Sequence, residues 1–151
     1  MQGTLLDRLI DQNTGTAEGS VQYRRISFNQ ARASVGRDLE NLLNTKNFTG
    51  SIPTSFKELN RSVLLYGLPD YTATNPHSST VKADLLQAVE RAINLFEPRL
   101  QNVMVSIDDS GKDERSLKFR ISALLVMAPF VEPVRFDTFF DVNRSEYSIL
   151  K

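Results

Sequence analysis

The chain contains no cysteine, no tryptophan and one histidine, His77. Without thiols there is no disulfide, no thiol nucleophile and no cysteine-ligated zinc site, and such a composition suits a reducing compartment. One histidine does not build the usual zinc ligand set. It also leaves His77, beside Pro76 in a polar stretch, as the only imidazole base for a serine nucleophile. There is no G-x-S-x-G elbow and no glycine-rich phosphate loop. The acidic run Asp108, Asp109, Asp113 and Glu114 lacks the ligand spacing of a calcium loop and reads as a solvated hairpin tip. Net charge is missing too: 18 Lys plus Arg face 18 Asp plus Glu. A neutral chain has no general pull toward nucleic acid or anionic lipid, and little protection against self-association. No apolar run approaches the ~20 residues that span a bilayer. The opening residues, with Asp7, Arg8 and Asp11 among leucines, lack the basic start and apolar run of a signal peptide. The expectation is a cytoplasmic protein with no catalytic residues, no cofactor and no metal.

What is present fits one domain with a moderate core: 151 residues, 40% hydrophobic and 24% charged. Leu5, Leu6, Leu9 and Ile10 share one side of a helix too short to be stable alone. A polar stretch with Gly15 and Gly19 follows. Residues 1–20 therefore read as a docking helix on a linker, seated on its own domain or on a partner, and residues 21–151 as the folded domain. Ser27 and Gln30 form a capping box that opens a helix. Its stripe is Phe28, Ala31, Val35, Leu39 and Leu42, interrupted by Gly36, and it ends near Asn44. A second capping box, Ser55 with Glu58, predicts a short helix lined by Phe56, Leu59 and Val63 and stopped by Gly67 and Pro69. A loop rich in Asn, Thr, Pro and Ser leads to a third helix from about Ser79, with Val81, Leu85, Val89, Ala92, Ile93 and Phe96 as its stripe. Pro98 ends it, because the residue before proline avoids helical dihedrals.

From Leu100 the period falls from 3.6 to 2. Val103, Val105 and Ile107 alternate with polar neighbours, as do Leu117, Phe119, Ile121, Ala123, Leu125 and Met127. Pro129 and Pro133 predict a break. Val134, Phe136, Thr138 and Phe140 then alternate with Arg135, Asp137 and Asp141, and a last short strand begins at Tyr147. Helices followed by a meander give an α+β domain, with N-terminal helices packed on a small antiparallel or mixed C-terminal β-sheet. The edges of such a sheet are either blunted or used to recruit a strand.

Two features carry candidate function. A glycosidase needs only two carboxylates, and Glu40, Glu58, Glu90 and Glu97 are available in number, although most occupy positions with a helical explanation. The other is Glu97-Pro98-Arg99. A glutamate at a helix C-terminus faces the negative end of the macrodipole. In the extended chain around Pro98, residues two apart point to the same side, so Glu97 and Arg99 pair. The pair is either a local staple of helix to strand or a charged docking point for a partner.

Several motifs in order carry a family resemblance. Leu6-Asp7-Arg8-Leu9, the run Ser34-Val35-Gly36-Arg37-Asp38-Leu39-Glu40-Asn41-Leu42-Leu43-Asn44-Thr45, Ser62-Val63, Tyr66-Gly67-Leu68-Pro69-Asp70 and Phe96-Glu97-Pro98-Arg99-Leu100 resemble the TssE baseplate subunits of bacterial type VI secretion systems. The likeness runs from Ser27 to Asp141. Lys46 stands where an arginine is more usual, and Gly36 is an unexpected helix residue. The resemblance implies a structural subunit, similar to a phage baseplate wedge component, in a family that carries a "lysozyme-like" label. It implies the baseplate proteins TssF, TssG and TssK as partners, with Glu97, Pro98 and Arg99 as the wedge contact. It also implies a sheet that seeds the sheath of TssB and TssC by strand addition. The competing readings are a muramidase and the equivalent subunit of a phage tail or related injection device.

Overall fold

The computed structural model describes residues 27–47, 55–71, 78–107, 116–141 and 146–150. The expected docking helix and linker, His77 and the acidic hairpin tip lie outside the described residues.

Helix α1 spans Phe28–Asn44 and opens on the expected capping box. The Gln30 N–H donates to Ser27 Oγ at 3.3 Å, and the Ser27 N–H donates to Gln30 Oε1 at 3.0 Å. Two N–H groups that the first turn leaves without partners are thereby satisfied. Its buried face holds Ala31, Ser34, Val35, Leu39, Leu42 and Leu43. Helix α2 spans Ser79–Phe96 and buries Leu85, Val89, Ala92 and Ile93. It stops where expected, with Glu97 as its C-cap before Pro98.

Strands β1 (Leu100–Ile107), β2 (Ser116–Met127), β3 (Phe130–Asp141) and β4 (Glu146–Leu150) follow in a meander, neighbours in sequence being neighbours in space. Every pairing is antiparallel. Alternation buries Leu117, Phe119, Ile121, Ala123 and Leu125 of β2 against Val134, Phe136, Thr138 and Phe140 of β3. Tyr147 of β4 closes this layer, its ring 4.6 Å from Phe140 and 6.0 Å from Phe119 between centroids. Both helices cover this face, α2 over β1 and α1 over β4, and the two layers share one core.

Three expectations need correction. The segment expected as a capped helix from Ser55 instead forms two single 3-10 turns, Leu59–Arg61 and Val63–Leu65, neither with a side-chain cap. Phe56, Leu59, Val63 and Leu64 are exposed, Val63 at 81%. An apolar stripe this exposed gives a short helix no tertiary support from the described residues. Ser62 Oγ instead donates to the Leu59 carbonyl and Asn60 Nδ2 to the Phe56 carbonyl, local bonds that compete with the helix. Pro133 does not break the chain but sits inside β3, paired with Leu124. Its missing N–H points to a side that β4 does not reach, which is where a strand tolerates proline. Finally, β1 does not alternate cleanly. The register shifts between Gln101 and Met104, and Asn102 takes φ of 51°. This bulge turns both Leu100 and Val103 inward.

The 3-10 segment returns to the end of α1 through a narrow neck. The Leu68 N–H donates to the Thr45 carbonyl at 2.8 Å, and the Asn47 N–H donates to the Leu68 carbonyl at 3.0 Å. Gly67 makes this approach possible: its φ is 107°, and a Cβ there would lie 2.1 Å from the Thr45 oxygen.

Candidate functional site: the Glu97-Pro98-Arg99 corner

The end of α2 and the start of β1 place Glu97 and Arg99 on the same side of the chain, and the two side chains pair. Arg99 Nε donates to Glu97 Oε1 at 2.6 Å and Nη2 donates to Oε2 at 2.5 Å, a two-pronged match of guanidinium and carboxylate. The Arg99 N–H also donates to Oε1 at 3.2 Å. Two further partners come from α1, one turn apart. Nη2 donates to Asp38 Oδ2 at 2.6 Å, and Nη1 donates to Ser34 Oγ at 3.3 Å. Arg99 therefore ties three parts of the chain together: α1, the end of α2, and β1.

The cluster is withdrawn from water. Relative exposure is 7% for the Glu97 side chain, 18% for Arg99 and 20% for Asp38. The Glu97 hydrogen bonds push the Arg99 guanidinium further toward its charged form, burial opposes them, and Asp38 adds to them. Glu97 at the negative end of α2 is unfavourable in isolation, and Arg99 offsets it. Pro98 is exposed at the apex.

Tyr66 borders the cluster. Burial first, then the charges of Asp38 and Glu97, raise its phenol above the ordinary tyrosine value. Its ring stands edge-on to Phe96 with centroids 5.2 Å apart. Tyr66 directly follows the second 3-10 turn. The 3-10 segment thus reaches the charged corner through Tyr66.

The pairing of Glu97 with Arg99 was legible from their spacing; Ser34 and Asp38 were not. The available signal was two polar residues four apart, each directly preceding an apolar stripe position, Val35 and Leu39. Of the other glutamates, Glu58 precedes the first 3-10 turn without capping it by its side chain. Both oxygens of Glu97 are engaged by Arg99, which places this carboxylate in a structural clasp. Among the described residues no group of three His, Asp or Glu is placed to hold a metal ion, and no helix is long and apolar enough to cross a membrane.

Two helices laid on one face of a four-stranded meander, clamped by a half-buried arginine, define an α+β module. Residues 29–129 match the family of the baseplate wedge protein gp25, a stretch from the first turn of α1 to the turn after β2 that includes the whole clasp. The chain belongs to that family. A chain from a solved structure, "The baseplate complex from the type VI secretion system", is 17% identical, with 74% of this chain and 94% of that one covered and a TM-score of 0.49. No curated protein matches.

Proposed function

We propose that this chain is a structural, non-enzymatic subunit of a type VI secretion baseplate. In this reading it sits on the cytoplasmic side with TssF, TssG and TssK, docks through Glu97, Pro98 and Arg99, and seeds the TssB–TssC sheath through its sheet. Family membership supports the baseplate role. The observation that carries the docking role is the build of the corner. Two paired charged side chains, Glu97 buried and Arg99 half-buried, lie beside an exposed proline, and apolar side chains are exposed in the 3-10 segment that leads into Tyr66. Exposed apolar residues next to a rigid polar anchor fit a protein interface. Pro98 and the open flank of Arg99 would touch the partner, and Glu97 would hold Arg99 in position.

The test is retrieval of partners by the tagged full-length chain from cells, comparing wild type with Pro98→Asp and Arg99→Lys, with thermal melts showing that each variant folds. Wild type is expected to bring down wedge and sheath proteins, and both variants to lose the wedge proteins. Undiminished retrieval by folded Pro98→Asp and Arg99→Lys would remove the corner from the interface. Peptidoglycan clearing by purified wild type, lost in Glu97→Gln, would overturn the non-enzymatic assignment.

A further inference from the structure

Helix α1 has a face that neither the core nor the corner uses. Ala31, Val35, Leu39, Leu42 and Leu43 join the core, while Ser34 and Asp38 reach Arg99. Between the remaining face and strands β3 and β4 lies a groove of about 640 Å³. Its apolar lining is Ala33 and Gly36 of α1, the buried ring of Phe136 and half-buried Ile149. Its charged lining is Arg32, Arg37 and Glu40.

Gly36 has no explanation inside the described packing. Glycine is, after proline, the least favourable residue in a helix interior. A Cβ at position 36 would meet the Phe136 ring at 3.6 Å, an ordinary contact, so α1 would accept alanine there. The effect of the missing side chain is to deepen the groove, leaving the Phe136 ring within reach of an entering side chain.

The groove begins in the first turn of α1, at Asn29 and Gln30, beside the point where residues 1–26 join the described chain. Among those residues, Leu5, Leu6, Leu9 and Ile10 share one side of a helix. Length, reach and charge all favour this segment as the occupant. From Asn29 to Glu40 the groove follows α1 for about 16 Å, and residues 1–11 in helical form would be about as long. Residues 12–26 span about 20 Å as a flexible chain. The exposed 3-10 segment, by contrast, joins the body beside Thr45, about 27 Å from Ser27 along α1. The groove sets two arginines against one glutamate, and the segment sets Asp7 and Asp11 against Arg8, the opposite balance. A tether this short holds its two ends at an effective concentration on the order of millimolar. A helix too short to persist alone thereby gains the packing it lacks.

We infer that residues 1–11 fold as a helix onto their own domain, with Leu5, Leu6, Leu9 and Ile10 seated in the groove between α1 and strands β3 and β4. The groove is then closed to other proteins, which leaves the corner and the 3-10 segment as the surfaces offered to a partner. The inference concerns the isolated chain and stands apart from the baseplate reading, so either can fail without the other.

The absence of cysteine lets a nitroxide on Thr4→Cys, on the side of the segment away from its leucines, label a single place. In NMR spectra of the full-length chain, the amide signals of Ala33, Gly36, Glu40 and Ile149 should be lost, and those of residues 59–65 kept. Leu6→Ser with Leu9→Ser should restore the lost signals, as should Gly36→Leu, which fills the groove. The serine pair lies outside the described domain, so the test does not depend on Gly36→Leu folding. Signals still lost in the serine variant would reflect tethering without docking and would overturn the inference. Loss at residues 59–65 instead, or at neither place until wedge proteins are added, would give the segment another seat and overturn it too. Mixing nitroxide-labelled chain with label-free, isotope-enriched chain should leave all signals intact. Broadening across that mixture would place the segment on a second copy and refute docking on its own domain.

Discussion

Two neighbouring regions of this molecule reverse the usual placement of residues. At the end of α2, charged side chains go inside: Glu97, Arg99 and Asp38 are mostly covered and bonded to one another. In the 3-10 segment, which leads into Tyr66 and its contact with Phe96, apolar side chains go outside: Phe56, Leu59, Val63 and Leu64. The first region is satisfied within the chain and the second is not. A buried ion pair does little for net stability compared with apolar residues of the same shape, but it fixes geometry. Exposed apolar residues contribute nothing to the isolated fold and much to an interface that covers them. The pair therefore separates two tasks, holding a shape and offering a contact.

That separation can be broken most forcefully by Glu97→Ala. It removes the two-pronged partner of the Arg99 guanidinium and leaves Asp38 and Ser34 to hold it, so stability should fall by about 3 kcal/mol, read by urea unfolding. A loss under about 1 kcal/mol, the range of an exposed pair, would mean the corner is wetter than its geometry indicates. Arg99→Lys should be milder, about 1.5–3 kcal/mol, because the ammonium keeps the charge but loses the two-pronged fit and the reach to Ser34. The double change Glu97→Leu with Arg99→Met sharpens the contrast. Its unfolding free energy should lie within about 1 kcal/mol of wild type or above it, while partner retrieval is lost. In the other region, Val63→Ser should leave stability within about 0.5 kcal/mol yet weaken retrieval. Tyr66, at the seam, gives the smallest effect. Its phenol ionises above its ordinary value of 10.0 in the folded chain, so its contribution is complete below that pH and is lost as pH rises beyond it. Tyr66→Phe should flatten part of the alkaline decline in thermal midpoint.

Most of the architecture was legible because it follows from local chemistry. The Ser27–Gln30 box, the stripe through Leu42, the stop at Pro98 and the period-2 run from Leu117 each depend on residues a few positions apart, and the structure places all of them as expected. What was not legible depends on distant partners. The Ser55–Glu58 box had the right spacing, but its apolar stripe stays exposed among the described residues, and it forms 3-10 turns in place of a capped helix. The Asn102 bulge breaks an alternation that looked regular. At the corner, spacing gave the Glu97–Arg99 pair, but its burial comes from Asp38 and Ser34, 61 and 65 positions away. Asn44 reads as the last residue of a helix, and nothing near it in sequence announces a bond to Tyr147, 103 positions on.

The neck at Gly67 has an architectural consequence. Thr45, Asn47 and Leu68 bind one another across it, and the described 3-10 segment, residues 55–66, rejoins the body there and through Tyr66 against Phe96. Lengthening such an excursion costs little, roughly 0.6 kcal/mol for each doubling of loop length. The segment therefore behaves as a replaceable cartridge: its exposed apolar face can be rewritten to suit another neighbour, provided Gly67 stays to let the chain pass Thr45.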